Sequence, residues 1–233
     1  MRTRLLVLAG TTEATALARD LADSGYDGVV SFAGRVERPV RHPLPQRIGG
    51  FGGVKGLVRY LADESITHVI DATHPFASQM SENAARAAAK AGVAHCVLTR
   101  KAWEPVAGDN WVAVPDIAGA VAALNRPRMR VMLAIGRMLV DDFAANPQHY
   151  YLLRFVDPPA APLALPDTSV IVDRGPFDVE SDRALMERHR IELVVSKNAG
   201  GGGAYAKIVA ARALGLPVIM IDRPTPPSGK ILN

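Results

Sequence analysis

The sequence predicts an α/β chain of two lobes, each built on a parallel sheet, with a ligand cleft between them. Three observations predict it. Apolar runs too short for helices alternate with stretches whose apolar residues recur at i, i+3, i+4 and i+7, the alternation that builds parallel sheets covered by helices. Several runs end directly in glycine turns, as at Ala9-Gly10, Ala33-Gly34 and Ile135-Gly136. The periodicity lapses near mid-chain, over Ala102 to Pro115, where Trp103, Pro105, Gly108 and Pro115 interrupt it. The expected division is residues 1–110 and 111–233, both Rossmann-like.

The first lobe opens on the apolar run Leu5 to Ala9, read as a strand buried on both faces. Ala14, Leu17, Ala18 and Leu21 then give one face of a helix. A helix that starts in a tight turn presents backbone N–H groups and the positive end of its dipole, so Gly10, Thr11 and Thr12 suit a phosphate. The competing reading makes Gly10 the N-cap and Glu13 its capping-box partner. Glu13 would repel a phosphate it faced, which places it on the helix side or against a ribose hydroxyl. The three-glycine dinucleotide fingerprint is missing.

Gly28 to Ala33 is the second strand, and it ends at Gly34-Arg35 with no acid. An arginine there suits a 2′-phosphate, which favours NADP over NAD. The stretch from Arg35 to Arg47, rich in Pro and Arg and including Arg38 and Arg41, cannot be a helix. Gly49-Gly50-Phe51-Gly52-Gly53 reads as either a close-approach loop or a hinge. Helical periodicity returns at Leu57, Val58, Leu61 and Ala62.

His68 to Asp71 is the third strand, and its carboxyl end carries Asp71, Thr73 and His74, candidates by position in an open α/β sheet. His74 can handle a proton near neutral pH, or it can simply fill the turn before Pro75 while Thr73 caps the next helix. An alanine-rich helix to about Ala91 and a strand from Ala94 to Leu98 complete the lobe.

In the second lobe, Asp116 to Leu124 reads as a capped helix and Arg130 to Ile135 as a strand followed by Gly136-Arg137. Tyr150 to Phe155 and Thr168 to Val172 are strands, Asp178 to His189 a helix, and Glu192 to Ser196 a buried strand. Next comes Ser196-Lys197-Asn198-Ala199 and four consecutive glycines, Gly200, Gly201, Gly202 and Gly203, a backbone-donating loop where Lys197 and the Ser196 hydroxyl can meet phosphate or carboxylate. Helix Tyr205 to Leu214 and strand Val218 to Ile221 close the unit.

Length and composition bound these readings. The chain has 233 residues, 48% hydrophobic and 21% charged, enough for a sizeable core in either lobe. No apolar run reaches membrane-spanning length and no signal peptide opens the chain, so a cytoplasmic protein without a membrane partner is expected. A formal net charge of +4, with dispersed arginines and no aromatic interleaving, argues against nucleic acid and for an anionic small molecule. The single cysteine, Cys96, cannot form an internal disulfide and reads as a core residue.

The segments Ala9-Gly10-Thr11-Thr12-Glu13-Ala14, Gly34-Arg35, Gly49 to Gly53, Asp71-Ala72-Thr73-His74-Pro75-Phe76-Ala77, Ser196-Lys197-Asn198 with its glycine loop, and Gly215-Leu216-Pro217-Val218 occur in the order found in one family. Over nearly its whole length the chain resembles the precorrin-6A reductases of cobalamin biosynthesis. That resemblance implies NADPH-dependent reduction of a ring D double bond of precorrin-6A to precorrin-6B, with no metal or flavin.

It also implies the coenzyme across Gly10 to Glu13 and Gly34-Arg35, with Thr73, His74, Ser196 and Asn198 as further cofactor residues. Lys197, the glycine loop, Tyr205, Arg38 and Arg137 would then face the macrocycle. A flat apolar ring with many carboxylates needs scattered cations and flexible glycine loops, and Arg38, Arg41, Arg100, Lys101, Arg137 and Lys197 lie near expected loop ends.

His74 or Lys197 is the candidate proton donor, with the conjugated nitrogens of the substrate ranked ahead of both. Neighbouring cobalamin-pathway enzymes are the expected protein partners. Among rival readings, a short-chain dehydrogenase would need Tyr-x-x-x-Lys, and Tyr205 is followed four residues later by Val209. A methyltransferase would need an acid where Gly34-Arg35 stands. A non-catalytic NADP- or tetrapyrrole-binding module and another Rossmann reductase stay open as alternatives.

Overall fold

The structure is a computed structural model that describes residues 2–33, 43–175, 177–227 and 230–232. In chain order the first strands and helices are β1 (Arg4–Leu8), α1 (Thr12–Asp23), β2 (Asp27–Phe32), β3 (Gln46–Ile48), α2 (Gly53–Asp63), β4 (His68–Asp71), α3 (Ser78–Ala91) and β5 (Ala94–Leu98). They are followed by β6 (Trp111–Val114), α4 (Ile117–Ala123), β7 (Arg130–Ala134), β8 (Tyr150–Phe155), β9 (Thr168–Val172), α5 (Val179–Arg188), β10 (Leu193–Lys197), α6 (Ala206–Ala213), β11 (Val218–Ile221) and β12 (Lys230–Leu232). Two 3₁₀ turns, Arg137–Leu139 and Asp141–Ala145, follow β7.

Two compact units result, one of Met1–Lys101 with Pro224–Asn233 and the other of Ala102–Arg223. Each holds a six-stranded, all-parallel sheet, with orders β12-β5-β4-β1-β2-β3 and β6-β11-β10-β7-β8-β9. The two Rossmann-like parallel sheets are therefore as the sequence predicts. In each, the strand order reverses beside one central strand, between β1 and β4 in the first unit and between β7 and β10 in the second.

The strands are buried on both faces because helices cover both. In the first unit Leu6 and Leu8 pack with Leu57, Leu61, Ala84, Ala87 and Ala88 on one face. Val7 and Ala9 pack with Ala14, Ala18 and Ala72 on the other. The alanines of α1 and α3 let helix backbones approach the sheet closely. In the second unit Met132, Leu152, Val194 and Met220 form the face covered by Met186 of α5 and Ile208 and Ala211 of α6.

Three short strands lie outside the runs marked in the sequence: β3, β6 and β12. The strand β12 joins the first sheet beside β5, in register Lys230↔Cys96, Ile231↔Val97 and Leu232↔Leu98. Among the described residues, no helix is long and apolar enough to cross a membrane.

Candidate functional site

At the reversal point of the first unit, the turns after β1 and β4 meet. The Thr11 hydroxyl donates to the Ala72 carbonyl at 3.0 Å, while Thr11 Oγ1 accepts from Ala14 N at 3.1 Å. Thr11 is therefore the N-cap of α1, which corrects the reading of Gly10 as cap and Glu13 as its reciprocal partner. A threonine side chain can reach both its own helix and the neighbouring turn; glycine can reach neither. Gly10 is exposed at the end of β1, and the exposed Thr12 donates its hydroxyl to Glu13 at 3.1 Å.

Glu13 carries an ion pair to Arg100 at 2.9 Å, with the arginine side chain 13% exposed. The carboxylate thus lies at the mouth of the helix with its charge matched. The two residues are 87 positions apart. The sequence shows the conflict between Glu13 and a phosphate, but no local pattern marks Arg100 as the cation that resolves it; by position alone Arg100 suits a substrate carboxylate.

At the end of β4, Asp71 is 1% exposed and its Oδ1 accepts from Thr73 N at 3.1 Å and Thr73 Oγ1 at 2.7 Å. This closes the turn that carries His74. Asp71 Oδ2 is buried with no hydrogen-bond partner, and so is Nε2 of His95 on β5. His74 is half-buried, and its Nδ1 accepts from Phe76 N at 3.2 Å, which leaves the proton of the neutral ring at Nε2. Burial holds His95 below the ordinary histidine value, and the Asp71 carboxylate pulls it partly back up.

The reversal point of the second unit lies at the ends of β7 and β10. Arg137 is exposed just after β7. Ser196 is fully buried, its hydroxyl donating to the Lys197 carbonyl at 3.2 Å, and Lys197 is half-buried at the end of β10. Asn198 is 8% exposed and both ends of its carboxamide bind the backbone of Trp103: Oδ1 accepts from Trp103 N at 2.8 Å and Nδ2 donates to Trp103 O at 2.9 Å. Its side chain thus has a structural task beside any ligand role.

Gly200 is buried, Gly201 half-buried, and Gly202 and Gly203 are exposed. Gly200 and Gly201 have φ of 67° and 63°, successive left-handed residues that only glycine adopts cheaply. The half-buried Tyr205 accepts from Arg212 Nη2 at 2.9 Å, and Arg212 Nε donates to Asp109 at 2.7 Å. In the sequence Trp103 marks only an interruption of the periodicity; its Nε1 donates to Gly201 O at 2.7 Å, a contact across 98 positions that no local pattern signals. Gly34, Arg35, Arg38 and Arg41 lie outside the described residues.

Comparison with known proteins adds the following. The family described as "Precorrin-6x reductase CbiJ/CobK" matches residues 4–232. A precorrin-6A reductase of Rhodobacter capsulatus is 59% identical over 229 residues, covering 98% of this chain and 91% of the relative. A precorrin-6A reductase of a Sinorhizobium species is 49% identical over 224 residues, covering 96% and 86%. A solved structure titled "CobK precorrin-6A reductase" superposes with a TM-score of 0.95 at 59% identity, covering 98% of this chain and 91% of that one.

Proposed function

The chain belongs to the precorrin-6x reductase family, and from that premise we propose that it reduces a ring D double bond of precorrin-6A to precorrin-6B, with NADPH as hydride donor. Membership makes it an oxidoreductase acting on a carbon–carbon double bond in cobalamin biosynthesis.

The observation that carries the coenzyme assignment is the amino end of α1. Thr11 caps Ala14 N, so the N–H groups of Thr12 and Glu13 lack intrahelical acceptors and stand at the positive end of the dipole. Arg100 matches the carboxylate of Glu13, which lies on this first turn. A pyrophosphate fits this donor set, which needs no fingerprint of three glycines. When bound, the coenzyme supplies the hydride. Gly10, Thr11, Thr12 and the Glu13 N–H would hold its phosphates, Thr73 and His74 border the same turn pair, and Gly34-Arg35, following β2 in the sequence, suit a 2′-phosphate.

In the second unit, Lys197, Arg137, Tyr205 and the Gly200 to Gly203 loop offer cations, a hydroxyl and backbone N–H groups to substrate carboxylates. Ser196 and Asn198, at the end of β10, are proposed as further cofactor residues. The protein's task is to orient the reactants and exclude water. We assign the proton to the substrate's own nitrogens, so His74→Ala and Lys197→Ala should each slow single turnover by under ~100-fold; a larger loss in either identifies a donor side chain. We propose the cytoplasm as the site of action, with hand-over between adjoining enzymes of the pathway.

The test is loss of the nicotinamide absorbance band on mixing purified protein, NADPH and precorrin-6A. A charged contact to the 2′-phosphate is worth about 1.5–3 kcal/mol, so kcat/KM with NADPH should exceed that with NADH by about tenfold or more. Equal rates with both coenzymes would overturn the coenzyme assignment. Binding of both ligands without oxidation would leave a carrier.

A further inference from the structure

We propose that Trp103 is a positioning residue for the macrocycle: it fixes the glycine loop after β10 in one conformation, so that the Gly202 and Gly203 backbone is ready for a substrate carboxylate. This rests on the reading of that loop as the part that meets substrate. Trp103 is held first by its own backbone, which exchanges two hydrogen bonds, of 2.8 and 2.9 Å, with the Asn198 carboxamide. From that fixed base the indole reaches the loop and donates to Gly201 O at 2.7 Å.

A second staple acts on the same loop. Lys207, on the first turn of α6 and only 8% exposed, donates from Nζ to Ala204 O at 2.6 Å and lies 5.1 Å from the Trp103 ring. The Tyr205 ring packs 5.3 Å from the same indole. A buried ammonium needs partners, and the Ala204 carbonyl and the indole face are two of them, so Lys207 and Trp103 hold each other as well as the loop.

The direction of the Trp103 bond matters. In a trans peptide the C=O and the following N–H point opposite ways. With Gly201 O turned to the indole, the N–H of Gly202 points away from it, at a residue that is exposed. An unstapled run of four glycines would have to be ordered when substrate binds, at a cost in backbone conformational entropy. Stapling moves that cost into folding and leaves a preformed donor. Phenylalanine would keep the packing against Tyr205 and Lys207 and lose only the donor, which makes Trp103→Phe the decisive variant.

The experiment measures KM for precorrin-6A, kcat, NADPH affinity and hydrogen exchange of the segment 198–205 in wild type, Trp103→Phe and Lys207→Met. Both variants should speed loop exchange about tenfold and raise the precorrin KM about tenfold. Both should leave kcat and NADPH affinity within about threefold, because the interaction serves binding and not the chemical step. Unchanged exchange with unchanged KM overturns Trp103 as the staple and leaves the loop's role intact. Faster exchange with unchanged KM shows a staple on a loop that does not seat substrate, and overturns the reading beneath it. A raised KM without faster exchange places Trp103 in direct contact with substrate and overturns positioning. Lys207→Met carries the same test should Trp103→Phe fail to fold.

Discussion

Glu13 stands one residue inside α1, where a negative charge is welcome to the helix dipole and unwelcome to a phosphate. Arg100 settles the conflict by pairing with it at 2.9 Å. Arg100→Met should therefore weaken NADPH binding about three- to fivefold at low salt, and the added change Glu13→Gln should restore it. If the double variant binds no better than the single one, Arg100 acts on the phosphate directly. On the far side of the same turn pair, His95 is kept below the ordinary 6.5 by burial, with Asp71 opposing. Its folded value lies beneath its unfolded one, so the stability gained by keeping it neutral is complete above pH 6.5. That stability drains away as pH falls from there through the folded value. Asp71→Asn removes the opposing charge, so the imidazole of His95 should titrate lower still by NMR and the acid loss should extend to lower pH. A rise instead would show that Asp71 does not act on His95 as a charge.

Elements differ in how openly the sequence announces them. The strands β1, β7, β10 and β11 carry continuous apolar runs because both faces are covered, and α1 shows its buried stripe at Ala14 and Ala18. The order of these strands and β4 places Gly10, Thr73, His74, Lys197 and Arg137 at carboxyl ends, so the position of these proposed site residues could be read in advance. The strands β3, β6 and β12 could not. They have three or four residues each, and β12 is exposed throughout, so an edge supplies their hydrogen bonds and little burial marks them.

Pairs such as Glu13 with Arg100 were hidden for another reason, being products of the fold with no local period. The glycine segment before α2, readable as a hinge, is braced: Arg47 donates to Gly49 O at 2.7 Å and Gly50 O at 2.9 Å and lies 3.8 Å from the Phe51 ring centroid. The Phe51 carbonyl lies against Gly56, where a Cβ would overlap it outright. Helix propensity favours Gly56→Ala by about 1 kcal/mol, but overpacking against a fixed backbone costs about 1–3 kcal/mol. The variant should therefore unfold at lower urea with an unchanged slope, and a stabilised protein would show that Phe51 yields.

At the scale of the molecule, β6 follows β5 in the chain yet lies at the edge of the second sheet, and β12 follows β11 yet lies at the edge of the first. The first sheet is therefore completed by a strand from the far end of the chain, whereas β6 to β11 build the second sheet from one continuous run. Removing residues 224–233 should therefore damage the first unit, to which β12 belongs, and not the second, which precedes it. The reporter is already present in Cys96, the single cysteine, which pairs in register with Lys230. Burial pushes its thiol up, and Lys230 pulls it down. Truncation removes both influences, but Lys230 is exposed and its field is screened by solvent, whereas the lost cover is local. Loss of cover should win, so alkylation of native Cys96 should quicken by about tenfold or more, accompanied by a lower melting temperature. Unchanged alkylation and melting would mean that β5 is a sufficient edge by itself, and that the returning strand contributes nothing to holding the first sheet closed.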